Sequence, residues 1–161
     1  MKKHGIELSE MYAQPGYLIR RAHQTATAAF AAVTSDLDLT PVQFSALVAI
    51  KDNPGIDATR VSEMISFDRT TIGHVLARLE SKQLVVRRGG TLDRRTKMIR
   101  LTLRGESLIR EVSQRVDEIA KIILEPFNPS ERTALLKLLA KFSAQSINEQ
   151  IEQPRASARR R

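Results

Sequence analysis

The sequence predicts a mainly α-helical chain with one small β-hairpin, a winged helix-turn-helix flanked by N- and C-terminal dimerisation helices. Three observations predict this fold. Residues 57–82 contain two short helical patterns separated by a turn, and residues 84–102 contain two β-rich runs around a basic loop. Both flanks carry long apolar helical patterns with more hydrophobic surface than one small domain needs, which favours a dimer.

The composition excludes several classes of protein. The chain has 161 residues and no Cys, so disulfides, thiolate metal sites and thiol redox sensing are excluded. Aromatic residues make up only 4%, with no Trp, which argues against a single-strand binder that stacks bases on aromatic side chains. No apolar run of about 18 residues and no signal peptide is present. We therefore expect a cytoplasmic protein with no membrane contact.

The positive charge is concentrated in two places. The net charge is +8, and residues 60–104 hold eleven Lys or Arg against four Asp or Glu, a net of +7. Residues 154–161 add four Arg, which leaves −3 for the remainder. Such local charge is typical of a nucleic-acid binder. The alternative is a basic protein whose charges are only solvated.

Breaks in the pattern divide the chain into four regions. We expect an N-terminal dimerisation helix in 1–36, a winged helix-turn-helix DNA-binding domain in 37–103, C-terminal dimerisation helices in 104–150, and a disordered basic tail in 151–161. The helix starts are marked by capping residues at Thr40, Asp57, Asp68, Thr102 and Asn128. After Thr102, one continuous helix is predicted to run to about residue 124.

The helix predicted for residues 68–82 has two unlike faces. Its buried stripe is Ile72, Val75, Leu76 and Leu79, and its opposite face carries Thr70, Gly73, His74, Ala77 and Ser81. That outer face is short, polar and nearly free of acid, so another surface can approach it closely. Gly73 costs about 1 kcal/mol relative to Ala in a helix interior. A close approach of the backbone to DNA would justify that cost, whereas an ordinary polar face is the alternative.

The two β-rich runs, residues 84–88 and 97–102, predict a hairpin. The loop between them carries Arg94 and Arg95. Adjacent arginines can enter a narrow minor groove, where negative potential is concentrated. A helix followed by a basic hairpin is the arrangement in which the helix enters the major groove and the wing the minor groove. Exposed hairpin arginines that are merely solvated are the alternative.

These residues resemble the MarR family of bacterial transcriptional regulators. The entry to the second helix at 37–44, the segment 68–71 with Leu79 and Glu80, and the segment 93–105 carry the resemblance, which covers about 17–150. Two departures are Gln83, where the family usually has Gly, and a somewhat short wing.

The resemblance implies a homodimer that binds a pseudo-palindromic double-stranded DNA operator, usually as a repressor. It also implies that a small effector, often an aromatic acid or its coenzyme A thioester, weakens DNA binding from a cleft beside the dimer helices. Asp93 would orient Arg95 in the minor groove, with Arg94 on a phosphate. No cofactor is implied.

The candidate residues fall into two sets. The DNA-binding set is Arg69, Thr70, Thr71, Gly73, His74, Arg78, Asp93, Arg94, Arg95 and Lys97, with Arg69, Arg78, Lys97 and also Lys82 on phosphates. The effector-binding set is Arg20, Arg21, His23 and Phe44. For the charged members of that second set, an exposed or interface charge is an equal alternative. The three His, at 4, 23 and 74, are too scattered for a metal motif.

Three other functions compete with a ligand-responsive repressor. The first is an architectural or nonspecific DNA-binding protein with the same fold and a basic tail. The second is an enzyme, which is disfavoured because no Ser/His/Asp array, phosphate-binding Gly loop or carboxylate pair stands at motif spacing. The third is a helical dimer that never contacts DNA.

Overall fold

The computed structural model describes residues 7–89 and 97–144, which contain eight helices and one two-stranded sheet. Residues up to 123 form one unit, and residues from 124 onward form a second. In chain order the elements are α1 (Leu8–Tyr12), α2 (Pro15–Val33), α3 (Pro41–Asp52), α4 (Ala58–Met64), α5 (Arg69–Ser81), β1 (Val85–Gly89), β2 (Lys97–Leu101), α6 (Leu103–Ser113), α7 (Val116–Leu124) and α8 (Pro129–Ser143). The predicted mainly helical fold with one small hairpin is confirmed.

The predicted capping residues do begin their helices. Thr40 Oγ1 accepts a hydrogen bond from the amide of Gln43, and Gln43 Oε1 accepts one from the amide of Thr40, both at 3.3 Å. These two bonds satisfy amides that would otherwise lack a partner at the start of α3. The side chains of four further caps accept in the same way, namely Asp57, Asp68, Thr102 and Asn128.

The core of the first unit is built around α5. The predicted stripe of that helix is buried, with Ile72, Leu76 and Leu79 at 0% exposure and Val75 at 7%. Burying side chains of this size contributes roughly 1.5–3 kcal/mol each. The stripe packs in one cluster with buried residues of α3, α4, the hairpin and α6, including Leu47, Ile50, Val61, Ile99 and Val112. The outer face of α5 is therefore fixed in direction by its inner face.

The hairpin is attached to the core at two points. Its strands pair antiparallel, with Val85 opposite Leu101 and Gly89 opposite Lys97. Ile99 also exchanges backbone hydrogen bonds of 2.9 Å with the segment before α4, accepting from Gly55 and donating to Ile56. On the other side, a Cβ added to Gly105 in α6 would collide with the carbonyl oxygen of Leu84. The base of the hairpin thus sits directly on the first turn of α6.

The prediction of one continuous helix after Thr102 is wrong. Helix α6 ends at Ser113 and α7 begins at Val116. At the break, the amide of Arg115 donates to the carbonyl of Val112, three residues back, at 2.9 Å. Such a tightened turn departs from the i−4 pattern of an α-helix. The region expected to hold one N-terminal helix, 1–36, contains a separate short helix, α1, before α2, which begins at Pro15.

Residue 83, at the departure from the family pattern, adopts the conformation that Gly favours. Gln83 has φ +59°, in the left-handed region, directly after α5. Its carbonyl accepts a hydrogen bond from Thr102 Oγ1 at 2.7 Å, which ties the end of α5 to the start of α6. The turn between α4 and α5 contains a second residue of this kind, Ser66, with φ +55°.

The second unit contains α8. Asn128 and Glu131 form the predicted capping box at its start. The apolar side chains along this helix are largely exposed in the single chain, with Leu136 at 55%, Leu138 at 63%, Leu139 at 50% and Phe142 at 57%. Isolated apolar residues are normal on a surface, but a helix with this many is typical of an interface.

Candidate nucleic-acid interface and adjoining cleft

Helix α5 starts from a strong cap. Asp68 Oδ1 accepts from the amide of Thr71 at 2.8 Å, and the Thr71 hydroxyl donates to Asp68 Oδ2. The Thr71 hydroxyl, followed by backbone amides, lowers the pKa of Asp68 below its ordinary value. The carboxylate is therefore ionised at neutral pH and lies at the positive end of the helix dipole.

The outer face of α5 is free of contacts that would bury it. Thr70, Gly73, His74 and Ala77 are exposed, whereas Thr71 is half-buried. A Cβ added to Gly73 would meet nothing within 4 Å. Packing within the described part of the chain therefore does not require Gly at this position. No contact among the described residues therefore explains why the helix carries the free-energy cost of Gly here. Such a Gly is expected where a partner approaches the helix surface closely.

The cationic candidates on this side differ in their partners. Arg69 at the start of α5, Arg78 near its end and Lys97 at the start of β2 are exposed. Lys82 instead points back into the fold, with Nζ 3.0 Å from Asp38 Oδ2 and also in contact with the Asp38 carbonyl. Lys82 thus joins the end of α5 to the connector before α3, where Asp38 has φ +45°. The structure gives Lys82 a contact within the fold, and the phosphate contact expected for it stays a prediction.

The hairpin presents a basic outer face. Arg88 and Arg100 are exposed on one face of the hairpin. On that face they lie opposite Met98 and Val86, which are 38% and 39% exposed. The predicted wing residues Asp93, Arg94 and Arg95 lie outside the described residues, as does the rest of loop 90–96. The described part of the wing is its base, and its two strands end at the paired residues Gly89 and Lys97.

A charged pair fastens the hairpin to α5. Arg87 Nε lies 2.9 Å from Glu80 Oε2, without the alignment of a hydrogen bond. The side chain of Arg87 is only 20% exposed, whereas that of Glu80 is 45% exposed. Surface pairs contribute little, about 0–1 kcal/mol, but a half-buried pair restricts geometry more than an exposed one. The hairpin and α5 therefore keep a defined relative orientation.

A cleft of about 960 Å³ lies between α2, α3 and α5. His23 and Thr27 line it from α2, and Thr40, Pro41, Val42, Gln43 and Ser45 line it from the start of α3. Thr71, His74, Val75, Ala77, Arg78 and Ser81 of α5 form the remaining wall, together with Phe67. No carboxylate stands among these residues, whereas Arg78 is cationic and two are histidines. The lining of the cleft therefore carries positive charge and hydrogen-bonding side chains, with no negative charge among the residues named.

Of the four residues predicted to contact an effector, only His23 lines this cleft. Arg20, one turn earlier, is exposed and lies over the Tyr17 ring, with Cζ 4.9 Å from the ring centroid. Arg21 is exposed on another face of α2. Phe44 is half-buried and packs on Phe30, with ring centroids 6.1 Å apart.

Three residues that the sequence predicts as DNA contacts alone also line the cleft. Thr71, His74 and Arg78 all line the cleft, although they belong to the helix whose outer face is exposed. Their spacing of i, i+3 and i+7 places them along one side of α5. That spacing in the sequence could have indicated that the three side chains share one surface. The cleft and the proposed DNA-facing helix therefore share side chains.

The described residues contain neither a candidate metal site nor a membrane-spanning helix. Across residues 7–89 and 97–144, no three His, Asp or Glu side chains come together in a way that could hold a metal ion. In the same ranges, no helix has both the length and the apolar character needed to cross a membrane.

The chain is similar to proteins of one family over most of its length. The MarR family model matches residues 37–96. The HTH-type transcriptional repressor NicR of Pseudomonas putida is 31% identical over 129 residues, which are 80% of this chain and 82% of NicR.

Two solved structures have the same fold. The first is BpsR of Bordetella bronchiseptica, whose DNA binding is regulated by 6-hydroxynicotinic acid; it has a TM-score of 0.77 and 30% identity, covering 88% of this chain and 99% of that one. The second is a mutant of MarR from Escherichia coli in complex with operator DNA, with a TM-score of 0.76 and 25% identity, covering 85% and 99%. This chain therefore belongs to the MarR family and is a transcriptional regulator rather than an enzyme.

Proposed function

We propose that this regulator is a cytoplasmic homodimeric repressor, released from a pseudo-palindromic operator when a small aromatic acid, or its coenzyme A thioester, enters the cleft between α2, α3 and α5. The observation that carries the proposal is the position of α5. The outer face of this helix carries small, exposed side chains, and three of its residues also line the cleft, namely His74, Ala77 and Ser81. A single rigid helix can therefore respond to both DNA and ligand.

The exposed face of α5 supports insertion into the major groove. Thr70 and His74 offer hydrogen-bonding groups to base edges, and Gly73 between them lets the backbone approach closely. Arg69 and Arg78 stand at either end of that face, where they suit phosphates of the flanking strands. Wing residues Asp93, Arg94 and Arg95 complete the proposal as minor-groove and phosphate contacts.

The exposed apolar surface supports a dimer formed through 1–36 and 104–150. On α2, Leu18 and Ile19 are 54% and 44% exposed, and on α8 Leu138 is 63% exposed. A second copy would remove such side chains from water at about 25 cal/mol per Å² of apolar area. A two-fold dimer would present two copies of α5 to successive major grooves, about 34–36 Å apart.

The chemistry of the cleft supports an acidic aromatic effector. Its volume of about 960 Å³ falls within the range of small-molecule sites, about 300–1,000 Å³. Arg78 and the imidazoles of His23 and His74 can bind a carboxylate, and Pro41 and Val42 offer an apolar wall to a ring. Because Thr71, His74 and Arg78 also belong to the DNA-facing helix, a ligand that engages them competes with the operator.

Footprinting of the full chain on its own upstream DNA, at about 150 mM salt, tests the proposal. We expect a short protected site with two-fold symmetry, which is lost when 6-hydroxynicotinic acid, benzoic acid or benzoyl-coenzyme A is added. Diffuse protection that collapses with salt would instead indicate an architectural DNA-binding protein. A specific footprint that none of these compounds alters would overturn the effector class but leave the DNA-binding function intact.

A further inference from the structure

One buried polar side chain contacts both the cleft and the end of α5. Gln43 lies in the first turn of α3, is only 3% exposed, and lines the cleft between α2, α3 and α5. Its Oε1 lies 3.4 Å from Nζ of Lys82, the residue that directly follows α5. Lys82 itself does not line the cleft. Gln43 therefore connects the cleft to a residue behind its wall.

The two ends of the Gln43 side-chain amide have different surroundings. Oε1 accepts from the amide of Thr40 at 3.3 Å and from Lys82. Because both partners are donors, the end of the side chain that faces them must be the oxygen. Among the described residues, Nε2 donates to no protein acceptor, yet it is not a fully buried polar atom without a partner. Nε2 therefore keeps accessible surface, and the cleft is the open space that Gln43 lines.

The two hydrogen bonds to Gln43 Oε1 are long. At 3.3 and 3.4 Å they exceed the usual range of about 2.7–3.2 Å. An acceptor oxygen in the cleft, such as a carboxylate oxygen of an aromatic acid, would supply the partner that Nε2 lacks. A bond to a charged acceptor is stronger than a bond between neutral groups. Binding of an acid therefore favours rotation of the amide toward the cleft and away from Lys82.

The end of α5 is also the point where that helix meets the hairpin. Gln83, which follows Lys82, has φ +59°, and its carbonyl accepts from Thr102 Oγ1 at 2.7 Å. Leu84 then leads into β1, and its carbonyl accepts from the same hydroxyl at 3.2 Å. A change in how Lys82 is held therefore acts at the junction of the two elements that are proposed to contact DNA.

We propose that Gln43 and Lys82 are positioning residues through which an acidic effector in the cleft changes the placement of α5 and the hairpin. The effector accepts from Gln43 Nε2, the amide turns away from Lys82, and the end of α5 loses one of its contacts with the start of α3. This inference rests on the proposed function and names the regulation of the same cleft. It differs from direct competition at Thr71, His74 and Arg78, because it requires a residue outside the cleft lining.

The test separates binding of the effector from its effect on the operator. Calorimetry gives the affinity of the free full-length protein for 6-hydroxynicotinic acid, benzoic acid and benzoyl-coenzyme A. Fluorescence anisotropy gives the affinity for the footprinted duplex without effector and with each compound at saturation. The ratio of the two operator affinities is the coupling factor, and such factors are typically about 5–150.

Lys82→Met removes the donor that contacts Gln43 and leaves every residue of the cleft lining in place. We expect the free variant to bind the effector as the unmodified protein does, and its coupling factor to fall by about fivefold or more. Loss of the cation also weakens operator binding, but it does so equally with and without effector. That loss therefore cancels in the coupling factor.

Two variants serve as controls and should keep the coupling factor of the unmodified protein. Lys51→Met makes the same substitution at an exposed lysine of α3 that does not line the cleft. Asp38→Asn removes the charged partner of Lys82 but leaves the contact with Gln43, and Asn tolerates the φ of +45° at this position. An equal loss in Asp38→Asn and Lys82→Met would assign the effect to the connector before α3 and overturn the role of Gln43.

Gln43→Glu tests the other half of the contact. Glu can complete the capping box with Thr40 and can pair with Lys82, but it has no donor for an effector. We expect Gln43→Glu to lower the coupling factor in the unmodified protein and to lower it no further in Lys82→Met, because both changes remove the same connection. A further fall in the double variant would show that Gln43 does not act through Lys82.

The outcomes separate this inference from the proposed function. An unchanged coupling factor in Lys82→Met would overturn the inference and leave direct competition as the means of release. Loss of effector binding by free Lys82→Met would also overturn it, because Lys82 would then only support the shape of the cleft. A coupling factor of 1 in the unmodified protein with all three compounds would overturn both the inference and the proposed effector class.

Discussion

Arg115 donates hydrogen bonds from both of its terminal nitrogens to the carboxylate of Asp36, 79 residues earlier in the chain, at 2.6 and 3.0 Å. The same guanidinium donates to the carbonyl of Val33 at 3.0 Å and to Glu111 at 2.8 Å. It therefore joins the end of α2 to the turn between α6 and α7. The hydrogen bond from Arg115 is the main reason that the pKa of Asp36 lies below its ordinary value of 3.8.

Replacement of Asp36 by Asn should destabilise the fold at neutral pH and lose that effect in acid. A lowered pKa means that the folded state favours the ionised carboxylate. The contribution of the pair is therefore complete above about pH 4, near the pKa of an unfolded Asp, and disappears as the pH falls through the lowered value. Urea unfolding at several pH values should show wild type and Asp36→Asn converging below that point.

Asp117→Asn is the control for this prediction, because Asp117 is an exposed carboxylate on α7. Because the pKa of Asp68 is also lowered, the folded state loses stability in acid through this residue as well. That loss is the same in wild type and in both variants. It therefore cancels in the difference. Equal behaviour of Asp36→Asn and Asp117→Asn at every pH would contradict a structural role for the pair.

Replacement of Gly73 by Ala should separate stability from DNA binding. The added Cβ meets open space, so the helix should gain up to about 1 kcal/mol from its better propensity. If DNA approaches this face closely, operator binding should weaken by about 1–3 kcal/mol, the scale of a lost base contact. Thermal unfolding and operator titration measure the two effects independently.

Gly16→Ala is the matched control for Gly73→Ala. Gly16 lies in the first turn of α2, and a Cβ there also meets nothing within 4 Å. This variant should leave operator binding unchanged. Unaltered operator binding by Gly73→Ala would show that the backbone at Gly73 does not approach the duplex.

Replacement of Gln83 by Gly should stabilise the protein by about 0.5–1 kcal/mol. The left-handed conformation at φ +59° costs a residue with a Cβ roughly 1–2 kcal/mol. The greater freedom of Gly in the unfolded chain offsets about 0.4–1 kcal/mol of that gain. Gln83→Ala keeps the Cβ and should give no gain, so the difference between the two variants in urea unfolding isolates the backbone effect.

Replacement of His23 by Gln should raise the effector concentration needed to release the operator by about tenfold, which corresponds to one weakened charged hydrogen bond. Binding to the operator without effector should be unchanged, because His23 lies on α2 and lines only the cleft. Arg21→Gln on the same helix is the control and should respond as wild type does. A larger loss in Arg21→Gln than in His23→Gln would place the effector elsewhere.

Features set by neighbouring residues could be predicted from the sequence. Thr40 caps α3 through a residue three positions away, so the signal and the bond lie in the same short window. The buried stripe of α5 is equally local, because Ile72, Leu76 and Leu79 share a face through helical geometry alone. These predictions are confirmed by the structure.

Features set by distant residues could not be predicted in this way. The break after α6 coincides with the contact between Arg115 and Asp36, which no window of adjacent residues contains. The contact between Lys82 and Asp38 likewise joins residues that are far apart in the chain. On α2, the choice of His23 over Arg20 and Arg21 as a cleft residue depends on how that helix is rotated against α3, and its Ala-rich sequence leaves the rotation undetermined.

The collision of any side chain at position 105 with the Leu84 carbonyl has a mechanical consequence. Each strand of the hairpin has five residues and so extends about 17 Å from this contact. A pivot of about 5° at the base would swing the far ends of the strands by roughly 1.5 Å over that length. A side chain introduced at Gly105 would therefore displace the base of the hairpin, and the displacement would be largest where the chain leaves Gly89 and returns at Lys97.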